Sequence, residues 1–281
     1  MAAGDFILAG VMGWPITQSR SPIIHNYWIE KYKLNGRYVP LAVKPESTRD
    51  ALAGLRALGF RGCNVTMPHK LSVMPLLDKV DDTAKRIGAV NCIVVGEDGS
   101  MTGHNNDGNG YVFSLLEAAP SWKPDAGPIV LLGAGGGARA VLVALIERGA
   151  KDIRLLNRTA EKAEHIAKDL GGVIKVHPWE RRSEIVSDAA LLINATNQGM
   201  TGQPPLDISL DRLPQQAIVS DLIYVPFETP LLAAARQRGN VTLNGLGMLL
   251  HQARPAFKAW FGVMPELTPE LRAAVEATFA K

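Results

Sequence analysis

Short apolar runs alternate with segments of helical periodicity along the chain. The runs at residues 6–11, 37–41, 62–65, 92–95, 129–132, 152–156, 191–194, 218–221 and 241–243 read as strands. The stretches 22–32, 48–58, 107–119, 138–148, 160–170, 229–238 and 247–261 read as helices. Strand and helix in regular alternation predict an α/β fold of parallel sheets covered by helices. Residues 120–128 (PSWKPDAGP) concentrate Pro and Gly and mark a loop before a fresh strand–helix series. From there to residue 244 the pattern is that of one nucleotide-binding unit, followed by a helical tail without strands.

Composition narrows the function classes. Of 281 residues, 47% are apolar and 20% charged, which excludes a disordered chain. No apolar run approaches the roughly 18 residues of a membrane span, so no membrane partner is expected. Thirty basic against 27 acidic side chains give a net charge of +3, too small an excess to indicate nucleic acid as a partner. Cys63 and Cys92 lack CxxC or zinc spacing and read as reduced core residues of a cytoplasmic protein. The apolar stretch 6–14 has no basic segment before it and carries Asp5 there instead, so a buried first strand is expected rather than a signal peptide. The six histidines show no HxxxH or HExxH spacing, and no metal is expected.

The strongest local signal follows the run 129–132. Gly133, Ala134, Gly135, Gly136, Gly137 and Ala138 form GxGxxA between a strand and a helix, the context in which this fingerprint indicates a dinucleotide site. Gly133 permits the tight turn, Gly135 the approach of backbone amides to a pyrophosphate, and the helix N-terminus adds N–H donors. An NAD site usually ends the next strand with an Asp or Glu for the ribose 2′-OH. Here that strand ends in Asn157, Arg158 and Thr159, with Lys162 one turn later. Arg158 can pair with a 2′-phosphate and stack on adenine, and the others can donate to the phosphate, so NADP is the expected cofactor.

Hydride transfer to a carbonyl needs a proton donor for the developing alkoxide. The first part of the chain supplies SRSP (19–22), NVTMPHK (64–70), GAVN (88–91) and NNDG (105–108), each following or preceding an apolar run. Hydroxyls, amides, one Lys and one Asp suit a polyhydroxylated substrate. This set, together with GWPITQSRSPIIHN (13–26), GAGGGA, NRT, NATNQGM (194–200), DLIYVPFETPLL (221–232) and NGLGMLLHQA (244–253), resembles the shikimate/quinate dehydrogenase family in order over nearly the whole chain.

The resemblance implies NADPH-dependent, reversible reduction of 3-dehydroshikimate to shikimate, a step toward aromatic amino acids. It implies a two-lobed fold: an α/β substrate domain of residues 1–106 completed by C-terminal helices at 244–281, with a Rossmann-type NADP-binding domain inserted at 107–243. Carried over by position, it gives the substrate carboxylate to Ser19 and Ser21 and the ring hydroxyls to Thr66, Asn91, Asp107 and Gln252, with Tyr224 beside them. Lys70 becomes the catalytic acid/base working with Asp107, which agrees with the tendency of a nearby carboxylate to hold a lysine charged and oriented. Leu222, Gly245 and Met248 fall to the nicotinamide, with Thr196 and Met200 lining the same groove.

Two departures bear on preference. Asn106 stands where the family usually has Thr, and Lys162 replaces a frequent Arg. The alternatives are a quinate/shikimate dehydrogenase using NAD and, in another class, a non-catalytic NADP-binding regulator. A small-molecule substrate is the expected partner, with a homodimer the assembly left open.

Overall fold

The structure is a computed structural model and describes residues 6–279. The chain begins with β1 (Ile7–Gly13), α1 (Ser21–Lys31), β2 (Gly36–Ala42), α2 (Thr48–Ala57), β3 (Phe60–Val65), β4 (Lys79–Val80), α3 (Asp82–Ile87), β5 (Cys92–Val95) and β6 (Met101–His104). It continues with α4 (Asp107–Ala118), β7 (Ile129–Leu132), α5 (Gly136–Glu147), β8 (Ile153–Leu156), α6 (Ala160–Leu170), β9 (Ile174–His177), α7 (Arg182–Ile185) and β10 (Leu191–Asn194). Last come β11 (Ile218–Asp221), α8 (Pro230–Gln237), β12 (Val241–Leu243), α9 (Gly245–Phe261) and α10 (Pro269–Glu276). Two compact units result: one runs to Asn106 and resumes at Gln252, and the other is Asp107–His251.

The first unit holds a six-stranded sheet in the order β2-β1-β3-β5-β6-β4. β1 pairs in parallel with β2 and β3, but β3–β5 and β5–β6 are antiparallel. This corrects the expectation of wholly parallel sheets, and the cause is local. Only residues 96–100 join β5 to β6, and Gly96 N donates to Ser100 O at 2.8 Å. That is enough chain for a hairpin and too little for a crossover. One face of the sheet buries Met12, Cys63, Val65, Ile93 and Met101 against Leu52 and Leu55 of α2. Among the buried aromatics of the unit, the His25 ring stacks on Tyr38 at 4.1 Å, with Trp28, Phe257 and Trp260 around it. Gly62 is required where β3 meets this cluster: a Cβ there would lie 2.0 Å from Ile93 O and 2.3 Å from Trp260 Nε1.

The second unit holds six parallel strands in the order β12-β11-β10-β7-β8-β9. Read from the other edge and counted within the unit, this is 3-2-1-4-5-6, the doubly wound order of dinucleotide-binding folds. β7 is four apolar residues, all buried, and α5 buries a continuous run from Ala140 to Leu145. A layer of Val130, Leu132, Leu192 and Val219 packs on Leu231, Leu232 and Ala235 of α8. Residues 119–128 contain no helix or strand, as their composition predicts. Among the described residues no helix is long and apolar enough to cross a membrane.

Five of the predicted strands and helix α6 fall within their expected bounds without change. The reading missed β4, β6 and β9 and the helices α3, α7 and α10. β6 (MTGH) has no apolar run, and β9 (IKVH) is an edge strand in which only Ile174 is buried. The start of α10 was legible: Thr268 caps Leu271 N ahead of Pro269, the same Thr-Pro signal that opens α8 at Thr229.

Candidate active site

In the second unit the predicted cofactor residues gather where the strand order reverses, between β7 and β10. Gly133 leaves β7 with φ at +110°, and a Cβ there would lie 2.9 Å from the Ala195 carbonyl group that follows β10. Only glycine fits that approach. Gly135 takes the N-cap position of α5 in extended conformation with no side-chain cap, and nothing lies within 4 Å of where a Cβ of Gly135 or Gly136 would stand. The first-turn N–H groups of α5 therefore keep donors for an anion, with an open backbone surface in front of them. Ala134 is half-buried at the turn.

Leu222 is brought to the same place: a Cβ on Gly137 would stand 3.5 Å from Leu222 Cδ1, and one on Gly245 would stand 2.0 Å from Leu222 O. Gly245 N donates to Ile223 O at 2.9 Å, which closes the start of α9 onto the loop after β11. Tyr224 is half-buried on that loop, Met248 is half-buried on α9, and Met200 is exposed.

At the tip of β8, Asn157 Nδ2 donates to Thr159 O at 2.8 Å and holds the turn into α6. Arg158, Thr159 and Lys162 are exposed, and the Thr159 hydroxyl makes no cap bond. Neither Arg158 nor Lys162 forms an ion pair among the described residues, and residues 157–160 include no carboxylate. This donor set fits the 2′-phosphate of NADP, and the uncapped glycine turn fits its pyrophosphate.

A group the sequence reading missed organises these loops. Buried Asp221, the last residue of β11, accepts from Asn194 Nδ2 (3.1 Å), Thr229 Oγ1 (2.8 Å) and Ile223 N (3.0 Å). Burial pushes its carboxyl above the ordinary range, and the three donors oppose that shift. Asn194 Oδ1 in turn accepts from the amide and hydroxyl of Thr196, at 3.0 and 2.7 Å. The available signal was two polar residues closing otherwise apolar strands. Asp107 starts α4 and is 7% exposed.

The first unit assembles the predicted substrate residues through buried side chains. Ser21 opens α1, and its amide donates to Ser19 Oγ at 3.3 Å. Thr66 leaves β3 with its amide on Met12 O at 2.9 Å, and the following turn ends at half-buried Lys70, whose carbonyl accepts Val90 N at 2.8 Å. The preceding His69 is buried and bonded through both ring nitrogens, to Thr48 Oγ1 (3.0 Å) and Val43 O (2.7 Å), which fixes the turn that presents Lys70. Buried Asn91 accepts Asn106 N on Oδ1 at 2.9 Å and donates through Nδ2 to Gln252 Oε1 at 3.3 Å. Asn106, one of the two departures, thus contributes a backbone N–H to this cluster. Asp82, in the first turn of α3, pairs with Lys85 at 3.1 Å on the surface.

A doubly wound parallel sheet with an uncapped glycine turn at its switch point defines a dinucleotide-binding α/β protein, here with a further unit, the first of the chain, rich in buried polar side chains. Residues 11–93 match the model of the shikimate dehydrogenase substrate binding domain, 121–201 that of shikimate/quinate 5-dehydrogenase and 245–276 that of the shikimate 5′-dehydrogenase C-terminal domain. The chain belongs to the shikimate dehydrogenase family. It is 49% identical to the shikimate dehydrogenase (NADP(+)) of Paramagnetospirillum magneticum over 97% of this chain and 99% of that one. The Thermus thermophilus shikimate 5-dehydrogenase solved with NADP(H) and shikimate superposes with a TM-score of 0.84 at 32% identity, covering 98% of both chains. The quinate dehydrogenase of Corynebacterium glutamicum solved with NAD gives 0.89 at 30% identity, covering 99% of this chain and all of that one.

Proposed function

We propose that this chain is an NADP-dependent oxidoreductase that interconverts 3-dehydroshikimate and shikimate, with Lys70 as general acid/base and Asp107 as its partner. One observation carries the reaction: 49% identity across 97% of the chain to an enzyme named for it. Ser19 and Ser21 hold the substrate carboxylate, Thr66, Asn91, Asp107 and Gln252 the ring hydroxyls, and Tyr224 closes the pocket wall. Residues up to 106 and from 244 serve as the substrate domain, and 107–243 as the cofactor domain.

Gly133, Ala134, Gly135, Gly136 and Gly137 receive the pyrophosphate; Asn157, Arg158, Thr159 and Lys162 the 2′-phosphate; Leu222 and Gly245 flank the nicotinamide. NADPH, when bound, supplies the hydride. Lys70 donates a proton to the oxygen of the substrate carbonyl as it becomes an alkoxide, and takes one from the hydroxyl in the reverse direction. The Asp107 carboxylate holds the ammonium in line for that transfer. The cations at the β8 tip, where the strand itself ends without a carboxylate, favour NADP over NAD.

Absorbance of the reduced nicotinamide tests the reading directly, with shikimate or quinate against NADP+ or NAD+. Turnover is expected to be fastest with shikimate and NADP+. A preference for quinate and NAD+ selects the reading suggested by the quinate dehydrogenase likeness, and tight NADPH binding without turnover selects a regulator. A cytoplasmic location and a homodimer complete the proposal; light scattering on the purified protein measures the latter.

A further inference from the structure

The hydroxyl of Tyr38 lies in a fully buried position on β2, among elements that carry both groups of substrate residues. It donates to Asn64 Oδ1 at 2.7 Å. Asn64, buried on β3, donates through Nδ2 to the Asn91 carbonyl at 3.1 Å, and because that carbonyl can only accept, Oδ1 is the end left to the phenol. The same carbonyl accepts Val65 N at 2.8 Å, and Asn91 then reaches Gln252 through its own amide. The path Tyr38–Asn64–Asn91–Gln252 is thus one polar chain crossing the unit, and it ends on two residues assigned above to the substrate.

Sheet formation does not require such a chain. β1 lies between β2 and β3, so Tyr38 and Asn64 sit on strands that do not pair with each other, and their side chains meet across it. The Tyr38 ring is already fixed by its stack on His25. What the hydroxyl adds is polarity. The Asn91 carbonyl can only accept, so it fixes which end of the Asn64 amide faces it, and the phenol supplies the donor that the buried Oδ1 then needs.

We propose that Tyr38 is a positioning residue for the substrate ring, acting through Asn64 to hold Asn91 and Gln252. The proposal rests on the shikimate reading above. Burial pushes the phenol well above its ordinary value, so it remains a donor across the working pH range.

Steady-state kinetics of Tyr38→Phe, Asn64→Ala and the double variant test it on the full chain, with melting temperatures alongside. Tyr38→Phe keeps the ring stack and removes one oxygen. The expected result is a rise of about tenfold in KM for shikimate, with kcat and KM for NADP+ within about twofold of wild type. Because one residue acts through the other, the double variant is expected to be no worse than Asn64→Ala alone. A lowered melting temperature with an unchanged KM for shikimate, or effects of the two changes that multiply, overturns the proposal. Wild type that turns over shikimate normally beside an unaltered Tyr38→Phe overturns this proposal and leaves the reaction assignment standing. Wild type with no shikimate turnover fails the assignment, and this proposal with it.

Discussion

The two units handle polar chemistry in opposite ways. The second offers backbone: uncovered glycines and the unpaired N–H groups of one helix end, on strands whose buried residues are almost all apolar. The first offers side chains: Ser21, Asn64, His69, Asn91 and Gln252 are all buried, and hydrogen bonds join Asn64 to Asn91 and Asn91 to Gln252. A pyrophosphate is a repeating, charged group that any correctly shaped turn can hold, so main-chain donors suffice. A polyhydroxylated ring has to be told apart from its relatives, and that needs donors and acceptors in fixed order. Buried amides provide such order only when every partner is satisfied.

The sharpest test of the contrast is at the reacting group. Lys70→Ala is expected to lower kcat by roughly 10²- to 10⁴-fold, the usual worth of a general acid, while NADP+ binding measured by fluorescence titration is unchanged. Loss of cofactor binding in that variant would break the division of labour between the units.

The glycines come next. Gly133→Ala forces a Cβ at φ +110° to within 2.9 Å of the Ala195 carbonyl. It is expected to cost about 1–3 kcal/mol of stability and to show as a lowered melting temperature. Gly135→Ala meets nothing within 4 Å, so its melting temperature should stay put while KM for NADP+ rises about tenfold. Equal melting temperatures for the two variants would remove the distinction between a glycine needed for folding and one needed for approach.

Arg158→Ala should then reduce the NADP+ over NAD+ preference by roughly 10- to 100-fold, read as a ratio of kcat/KM values. The smallest effect is a pH dependence confined to the first unit. Burial lowers His25 from 6.5 to about 3 in the folded chain. Below pH 6.5 the unfolded chain therefore takes up a proton that the folded chain refuses, and stability falls as pH falls toward 3. Between pH 7 and pH 5 the expected loss is about 2 kcal/mol at most, measured by urea titration. His25→Phe should flatten that slope.

Legibility followed the same division. The glycine turn at 133–137 and the Asn157, Arg158 and Thr159 run are each contiguous in sequence, so the chemistry of each could be read from a short window. Asp221 and Tyr38 could not. Asp221 looks like an ordinary strand end until Asn194 and Thr229 converge on it, 27 and 8 residues away. Tyr38 looks like a strand aromatic until Asn64, 26 residues on, places an amide against its hydroxyl. The antiparallel part of the first sheet was hidden for a related reason. β6 owes its place to pairing with β5 and β4 rather than to its own composition.

Both cysteines of the chain belong to the first unit, and both are buried as free thiols. Burial raises Cys63 to about 12 and shifts Cys92 upward as well, so neither offers a thiolate to a reagent while the sheet is closed. An alkylating agent added to the native protein therefore works as a clock. The rate at which label accumulates counts openings of the sheet that carries Tyr38 and Asn64, and the second unit, which holds no cysteine, contributes no signal to that count.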